Sequence, residues 1–211
     1  MFTNFNSRIA SVYDEQFKRH GARPEASFWF SGLRQQTRFE IITNEIRRLD
    51  PDRSVSVCDL GCGYGAYAEY LNYKTTPKIS SYLGLDVSAA VIKFCKSKYD
   101  YPWAKFETAN KSKNNMDYTV MSGTFNYAVT SDVEKWEVHL FKNLSHCFGK
   151  TIRAMIFNLQ VSDGPSMIGE KNIYHADPKM IAEFCRKTFG NCKVIKSPLL
   201  KRDVTFLVEQ N

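Results

Sequence analysis

One short stretch constrains the fold more than any other part of the sequence. An apolar, β-branched run at residues 55–60 leads directly into a glycine-rich turn at residues 61–65. A run of this length and composition is typical of a strand buried within a sheet. Residues 66–73 then follow a helical pattern. A buried strand, a tight turn and a helix in this order predict a βαβ unit with parallel strands.

The rest of the chain continues the alternation of strands and helices. Further strands are predicted at residues 82–86, 103–107, 118–121, 151–159, 193–196 and 204–208, and helices at residues 88–98, 133–147 and 178–188. A short connection joins the last two strands and predicts an antiparallel pair, because a parallel return needs a dozen or more residues. The expected fold class is α/β: a doubly wound, Rossmann-like, seven-stranded and mostly parallel sheet whose last strand pair is antiparallel.

The first 50 residues are predicted to be helical, because apolar side chains recur there at helical spacing. Gly, Pro and aromatic residues interrupt this pattern at residues 21–32. We expect residues 13–38 to form a helical lid over the sheet. With 211 residues, the chain is predicted to be a single domain (1–211) made of an N-terminal cap (1–50) and an α/β core (51–211).

The composition argues against several classes of protein. No run of about 18 apolar residues occurs, so no membrane span is predicted. The N-terminus lacks the basic-then-apolar layout of a secretion signal. The cysteines form no C-x-x-C pair, and no Cys/His spacing suggests zinc. We therefore expect reduced thiols, no bound metal and a cytoplasmic location.

The charge of the chain bears on its partners. A net charge of +7 and an isoelectric point near 9.0 permit an anionic partner, such as nucleic acid, a phosphorylated metabolite or a nucleotide-linked sugar. The basic residues are spread out, and a solvated basic surface is the alternative interpretation. Arg38, Arg153 and Lys171 are candidates to contact an anionic substrate, with solvated charge as the competing account of each.

Candidate ligand-binding residues lie where the first two strands end, and ligands bind beyond the carboxyl ends of strands in such sheets. Gly61, Gly63 and Gly65 let the backbone pass close to a ligand. Asp86, at the end of the second strand, can accept hydrogen bonds from two ribose hydroxyls. Asp59 would repel the pyrophosphate of NAD but suits an ammonium group. These residues predict a nucleoside carrying an amino-acid moiety, and a purely structural turn is the alternative.

At these positions the sequence resembles a known family. Residues 57–65, VCDLGCGYG, are similar to the first motif of class I S-adenosylmethionine-dependent methyltransferases, and residues 83–88, LGLDVS, resemble their second motif. The resemblance extends from about residue 55 to the C-terminus. It implies S-adenosylmethionine as the cofactor and S-adenosylhomocysteine as the product. It also implies that the glycine turn holds the methionine part and that Asp86 holds the ribose.

The resemblance extends to further cofactor contacts. In the family an acidic residue after the third strand often meets the adenine amine, and Asn110 stands at that position here. The residues expected to contact the cofactor are Asp59, Gly61, Cys62, Gly63, Gly65, Asp86, Val87, Asn110, Ser122, Gly123, Tyr13 and Arg38. Between the third and fourth strands the chain is polar and too short for a usual helix, so the wall of the adenine pocket is expected to be reduced.

Two other motifs bear on the acceptor. Residues 122–126, SGTFN, follow the fourth strand, where nucleic-acid base methyltransferases carry a D/N-P-P-Y/F motif. The absence of that motif weakens the case for a nucleic-acid substrate. The stretch 20–39, with His20, Trp29 and Arg38, resembles a subgroup of small bacterial methyltransferases whose substrates are poorly defined.

Methyl transfer from a sulfonium is an in-line displacement, in which an enzyme positions the acceptor and excludes water. Aromatic faces favour the cationic sulfonium, so Tyr13, Trp29, Phe125 and Tyr174 are candidate contacts, the last three as substrate-binding residues. Core packing is the alternative for each of them.

A catalytic base helps when the acceptor is a hydroxyl, although many methyltransferases need none. His175 is the first candidate, because it lies in the loop at residues 160–177 that is expected to overhang the site. His20 is the second. His139 and His146 are predicted to lie on a helix away from the strand ends.

Three functions remain open from the sequence. The favoured one is methylation of an oxygen or nitrogen atom of a small metabolite, such as a sugar or secondary metabolite. Methylation of RNA or protein through the basic surface is the second, and a non-catalytic S-adenosylmethionine-binding subunit is the third. The fold alone decides none of these, and the oligomeric state stays open.

Overall fold

The computed structural model describes residues 5–27 and 32–210, and the predicted substrate contact Trp29 lies outside them. The helices are α1 (Phe5–His20), α2 (Gly32–Leu49), α3 (Ala66–Asn72), α4 (Ala89–Lys98), α5 (Val133–Phe148) and α6 (Pro178–Phe189). The strands are β1 (Ser54–Leu60), β2 (Lys78–Asp86), β3 (Ala104–Thr108), β4 (Met116–Ser122), β5 (Thr151–Gln160), β6 (Met167–Ile168), β7 (Tyr174–His175), β8 (Cys192–Lys196) and β9 (Asp203–Glu209).

The main sheet has seven strands in the order β3-β2-β1-β4-β5-β9-β8. The pairs from β3 to β5 are parallel, whereas β9 runs antiparallel to both β5 and β8. This confirms the predicted sheet and its antiparallel last pair. The strand order reverses between β1 and β4, and the crevice at such a reversal is where open α/β sheets bind ligands.

Helices cover both faces of this sheet, as predicted. The side chains of α2, α3 and α4 form one buried cluster with the sheet, and those of α5 and α6 form the other. Ser88 and Asp177 cap the N-termini of α4 and α6, as their positions in the sequence predicted. Ser88 Oγ accepts a hydrogen bond from Val91 N at 3.2 Å at the start of α4, and Asp177 Oδ1 accepts one from Lys179 N at 2.8 Å at the start of α6.

Residues 109–115 connect β3 to β4 without a helix, in agreement with the sequence analysis. The connection lies against α5, where His146 Nε2 donates to the carbonyl oxygen of Ser112 at 2.9 Å. Because no helix fills this part of the face, α5 packs close to the connection and to the strand ends.

The sequence analysis missed a small second sheet. β6 and β7 pair antiparallel, with Met167 opposite His175 and Ile168 opposite Tyr174. The predicted loop at residues 160–177 is therefore partly a hairpin. Strands of two residues carry no periodic pattern of apolar and polar side chains, so the sequence could not reveal them.

Helix α1 lies across the carboxyl ends of the strands. Phe5 of α1 packs against Trp136 of α5, with ring centroids 5.9 Å apart. Phe17 of α1 packs against Phe94 of α4, with ring centroids 5.5 Å apart. The helical N-terminus is thus confirmed, and its action as a movable lid stays a prediction. Within residues 5–27 and 32–210, none of the helices has the length and hydrophobicity needed to cross a bilayer.

Candidate functional site

A cavity lies at the carboxyl ends of β1, β2 and β4, beneath α1. The residues around it include many of those proposed from the sequence. The sequence-proposed residues that line it are Tyr13, Asp59, Gly61, Cys62, Gly63, Asp86, Val87, Asn110, Ser122, Gly123 and Phe125. Residues from five separate stretches of the chain therefore meet at the predicted crevice.

The turn after β1 brings bare backbone to the cavity. Gly61 has a φ of +75°, and a Cβ there would lie 2.6 Å from Cγ2 of Thr124. Thr124 is itself fixed, since its Oγ1 donates to the carbonyl oxygen of Leu60 at 2.6 Å. The backbone N–H of Gly61 donates to the carbonyl oxygen of Leu85 at 2.7 Å. The turn is thus held between β2 and β4, and only glycine fits its first position.

Gly65 has a different role from the one predicted. It does not line the cavity. Its φ is +81°, and a Cβ there would lie 2.5 Å from the ring of Tyr99 and 3.2 Å from Sγ of Cys95. This glycine therefore allows α3 to begin against the Tyr99 ring, which corrects the expectation that it approaches the ligand.

Asp86 is held in the cavity wall by backbone donors. Its Oδ2 accepts from Gly63 N at 3.0 Å, and its Oδ1 accepts from Ser88 N at 2.9 Å. Burial raises the pKa of this carboxyl, while the hydrogen bonds from these N–H groups act in the opposite direction. The carboxylate therefore links the glycine turn to the start of α4 and faces the cavity with a fixed orientation.

Asp59 forms a second carboxyl group of the cavity. It is 2% exposed, and the hydroxyl of Tyr82 donates to its Oδ2 at 2.5 Å. Burial raises the pKa of Asp59 to about 7, against the opposing effect of the Tyr82 hydrogen bond, and the charge of Asp86 adds to the rise. The charge of this group therefore changes close to neutral pH.

Tyr13, in α1, lies close to Asp86 in the cavity lining. Burial, followed by the charge of Asp86, raises the pKa of its hydroxyl. Its ring also meets that of Tyr127, with centroids 6.1 Å apart. The next residue, Asp14, accepts a hydrogen bond from Ser88 Oγ. Helix α1 is thus tied to the same few residues that orient Asp86.

The sequence analysis missed His139, which it placed away from the strand ends. His139 lines the cavity from the middle of α5, and so does Asn143, whose Nδ2 donates to the carbonyl oxygen of His139 at 2.8 Å. Burial, followed by the charge of Lys111, lowers the pKa of His139 to about 4. The ring is therefore neutral at pH 7. The sequence did contain one indication of this position: the connection before β4 is too short for a helix, and its absence lets α5 approach the cavity.

The structure does not bring Arg38 to the cavity. Arg38 is fully buried, and its Nε donates to Asp203 Oδ2 at 2.9 Å. Asp203 Oδ1 accepts from Asn158 Nδ2 at 2.6 Å, and Asn158 Oδ1 accepts from Gly123 N at 2.7 Å. Arg38 therefore supports the end of β4 from behind, which corrects its expected contact with the ligand.

The two predicted bases also lie away from the cavity lining. His175 belongs to β7, where its ring lies beside Gly169, and burial followed by the charge of Arg202 lowers its pKa. His20 is the last residue of α1. Neither side chain lines the cavity. The hairpin of β6 and β7 holds His175 elsewhere, so this geometry does not support a role for either histidine as the base.

Three other predicted contacts are also elsewhere. Tyr174 is fully buried, and its hydroxyl donates to Glu137 Oε1 at 2.8 Å, which supports its alternative interpretation as a core residue. Arg153 pairs with Asp50, with Nη2 and Oδ1 3.0 Å apart. Lys171 lies in the short turn before β7. None of the three lines the cavity.

Comparison with known proteins identifies relatives of the chain. Residues 58–141 match the family described as "Methyltransferase domain". A candidate methyltransferase of Mycobacterium tuberculosis (strain H37Rv) is 28% identical over 159 residues, which cover 74% of this chain and 93% of the relative. The family match at residues 58–141 includes both the glycine turn and Asp86.

Solved structures share the fold at low sequence identity. The magnesium protoporphyrin IX methyltransferase of Synechocystis, with bound S-adenosylmethionine, has a TM-score of 0.68 at 13% identity over 98% of this chain and 97% of its own. The 1,6-didemethyltoxoflavin-N1-methyltransferase of Burkholderia thailandensis, with S-adenosylhomocysteine, has a TM-score of 0.64 at 12% identity over 98% of this chain and 87% of its own.

Proposed function

We propose that the chain is a class I S-adenosylmethionine-dependent methyltransferase and that it methylates an oxygen or nitrogen atom of a small metabolite. One observation carries the proposal: the glycine turn, Asp59 and Asp86 face a single cavity that α1 covers. A covered cavity suits a small acceptor better than a macromolecule. The Synechocystis and Burkholderia proteins are named for small substrates, which supports the same class.

The residues of the cavity fit the cofactor. Gly61 and Gly63 bring backbone without side chains to the cavity wall, and the fixed Asp86 carboxylate suits two ribose hydroxyls. We propose that Asp59 pairs with the ammonium of the methionine part. Val87 and Asn110, which follow the ends of β2 and β3, line the cavity together with His139, and we propose that these three residues surround the adenine.

When bound, S-adenosylmethionine would supply an electrophilic methyl group to an acceptor lone pair, with the electrons of the S–C bond kept on sulfur and the acceptor proton lost to solvent on product release. The contribution of the chain is positional. The glycine turn and Asp86 orient the donor, Asp59 compensates its ammonium, and α1 excludes water. Neither His175 nor His20 lines the cavity, and His139, which does, is assigned to the adenine in this proposal, so we propose catalysis by positioning.

Two measurements test this function. Calorimetry should detect one S-adenosylhomocysteine bound per chain. Incubation with methyl-labelled S-adenosylmethionine and a bacterial metabolite extract should label a molecule that passes a dialysis membrane. Label in RNA or protein would favour the second candidate function, for which the net charge of +7 is the supporting observation. Binding without transfer would favour a non-catalytic subunit, and no binding would contradict both.

Cofactor affinity is expected to depend on pH through Asp59. Its carboxyl is neutral well below pH 7 and charged above it, and only the charged form attracts an ammonium group. Between pH 5 and pH 7, the Kd for S-adenosylhomocysteine should therefore fall by about tenfold per pH unit, as calorimetry can measure.

The matched ligand for this experiment is 5′-methylthioadenosine, which keeps the adenosine and lacks the ammonium. Its Kd should change far less over the same range, because it makes no use of Asp59. The variant Asp59→Asn should bind S-adenosylhomocysteine weakly and lose the steep slope. An equal slope for both ligands would show that Asp59 is not the ammonium partner.

Removal of the Tyr13 ring is expected to weaken cofactor binding. Tyr13 and Asp86 both line the cavity, and the charge of Asp86 acts on the Tyr13 hydroxyl. We propose that the ring limits the access of water to this carboxylate, since hydration weakens electrostatic interactions in a site. Tyr13→Ala should raise the Kd for S-adenosylhomocysteine by about tenfold. Tyr73→Ala removes a tyrosine that is 78% exposed and should leave the Kd unchanged. Equal affinities for the two variants would argue against a covering role for α1.

A further inference from the structure

Two cysteines lie side by side where α6 leads into β8. Cys185 belongs to the C-terminal part of α6, and Cys192 is the first residue of β8. Only Gly190 and Asn191 separate the two elements, and the start of β8 packs beside α6. Both cysteines are free thiols, and the thiol of Cys185 donates a hydrogen bond to the sulfur of Cys192.

We propose that Cys185 and Cys192 form a modification site for peroxides, at which oxidation joins the two sulfur atoms in a reversible disulfide bond. Neither residue lines the cavity, and the proposed methyl transfer makes no use of them. The inference therefore stands independently of the proposed function.

Cys192 has the properties of the thiol that reacts first. It is partly exposed, so a small oxidant can reach its sulfur. The hydrogen bond from Cys185 lowers the pKa of Cys192, with the charge of Arg186 acting in the same direction and burial opposing both. A lowered pKa increases the fraction of thiolate, which is the nucleophilic form of a cysteine.

Cys185 has the properties of the second thiol. It is fully buried, so an oxidant reaches it less readily than it reaches Cys192. The hydrogen bond to Cys192, followed by burial, raises the pKa of Cys185 and keeps it protonated. The larger of these two causes ends when oxidation removes the charge of Cys192. Cys185 then lies in contact with an oxidised sulfur, which is the arrangement of a resolving cysteine.

The oxidation has two steps. The Cys192 thiolate attacks one oxygen of hydrogen peroxide: an S–O bond forms, the O–O bond breaks, and the departing hydroxide takes up a proton to become water. The Cys185 sulfur then attacks the Cys192 sulfur, so that an S–S bond forms, the S–O bond breaks, and the second hydroxide leaves as water with the proton of Cys185. The two sulfur atoms lose two electrons in total, and the peroxide gains them.

A second thiol pair offers a comparison within the same chain. Cys62 and Cys95 both donate to the carbonyl oxygen of Gly63, at 3.6 Å and 3.3 Å. Both of these cysteines are buried, and burial raises the pKa of Cys62. Buried thiols in apolar surroundings are inert. We therefore expect this pair to stay reduced under conditions that oxidise Cys185 and Cys192.

Peptide mapping of the wild-type protein tests the site. After brief exposure to hydrogen peroxide, the remaining thiols are blocked with iodoacetamide, and the protein is digested with trypsin, which cuts between the two cysteines at Arg186 and Lys187. We expect the peptides 180–186 and 188–193 to be joined by a disulfide that dithiothreitol releases. Absence of this joined species, or an equal yield of a disulfide between Cys62 and Cys95, would overturn the inference.

A variant tests the order of the two steps. Cys185→Ser keeps a hydrogen-bond donor beside Cys192 but removes the second thiol, so the sulfenic acid of Cys192 should accumulate. Trapping of that acid by dimedone should rise by about tenfold over the wild type, whereas Cys147→Ser, which removes another buried thiol, should behave as the wild type does. Thermal unfolding checks that both variants are folded, and Cys185→Ala replaces a serine variant that is not. Equal trapping at Cys192 with and without Cys185 would show that Cys185 is not the resolving thiol and would contradict the proposal.

Discussion

Replacement of Asp86 by alanine is expected to reduce the affinity for S-adenosylhomocysteine by about 100-fold or more. Hydrogen bonds to a charged group contribute about 1.5–3 kcal/mol each, and the ribose offers two hydroxyls to this carboxylate. The substitution also frees Gly63 N and Ser88 N, which Asp86 now holds at 3.0 Å and 2.9 Å. Loss of the ribose partner and loosening of the glycine turn therefore act in the same direction.

Calorimetry with wild-type protein, Asp86→Ala and Asp86→Asn would measure this effect. The asparagine variant keeps the shape of the side chain without its charge and should lose about tenfold in affinity. Asp100→Ala changes an exposed aspartate and serves as the control. Thermal unfolding of each variant checks that the sheet remains folded. A folded Asp86→Ala protein with wild-type affinity would refute the role of Asp86 as the ribose partner.

Replacement of Arg38 by methionine is expected to lower the free energy of unfolding by about 3–5 kcal/mol. Arg38 and Asp203 are both buried and pair with each other. Burial lowers the pKa of Arg38, while the hydrogen bond that it donates to Asp203 opposes that shift. Without the guanidinium, Asp203 would remain a buried carboxylate with Asn158 as its side-chain donor, and an uncompensated buried charge is costly.

Urea denaturation would measure the loss, and two variants control for its cause. Arg38→Met/Asp203→Leu removes both charges and should recover part of the stability, though not all, because Asn158 Nδ2 then loses its acceptor. Arg48→Met breaks an exposed pair with Glu45 and should cost about 1 kcal/mol or less. A cost for Arg38→Met no larger than that for Arg48→Met would show that the buried pair contributes little.

The sheet was predictable because its signals are local. β1 and β5 are apolar runs bounded by turn residues, and such runs specify buried strands without reference to distant residues. The short connection between β8 and β9 determined that the last pair is antiparallel. The glycine turn was predictable for the same reason, since the backbone conformation at Gly61 excludes other residues.

Side chains whose partners lie far along the chain were not predictable in this way. The charge of Arg38 suits an anionic ligand, yet its hydrogen-bond partner is Asp203, 165 positions away. Tyr174 and His175 looked like residues of an overhanging loop, whereas a hairpin places one in the core and the other away from the cavity. His139 lacked any motif and reaches the cavity because α5 packs where a helix is absent.

The alternation of strands and helices, the glycine turn and the acid at the end of β2 were thus predictable from the sequence alone, because periodicity, glycine conformation and connection length act between neighbouring residues. The direction of each side chain outside those motifs depended on packing. Whether Arg38, Tyr174 or His139 meets the ligand or the core is a matter of which elements come together, and that follows from contacts between residues far apart in sequence.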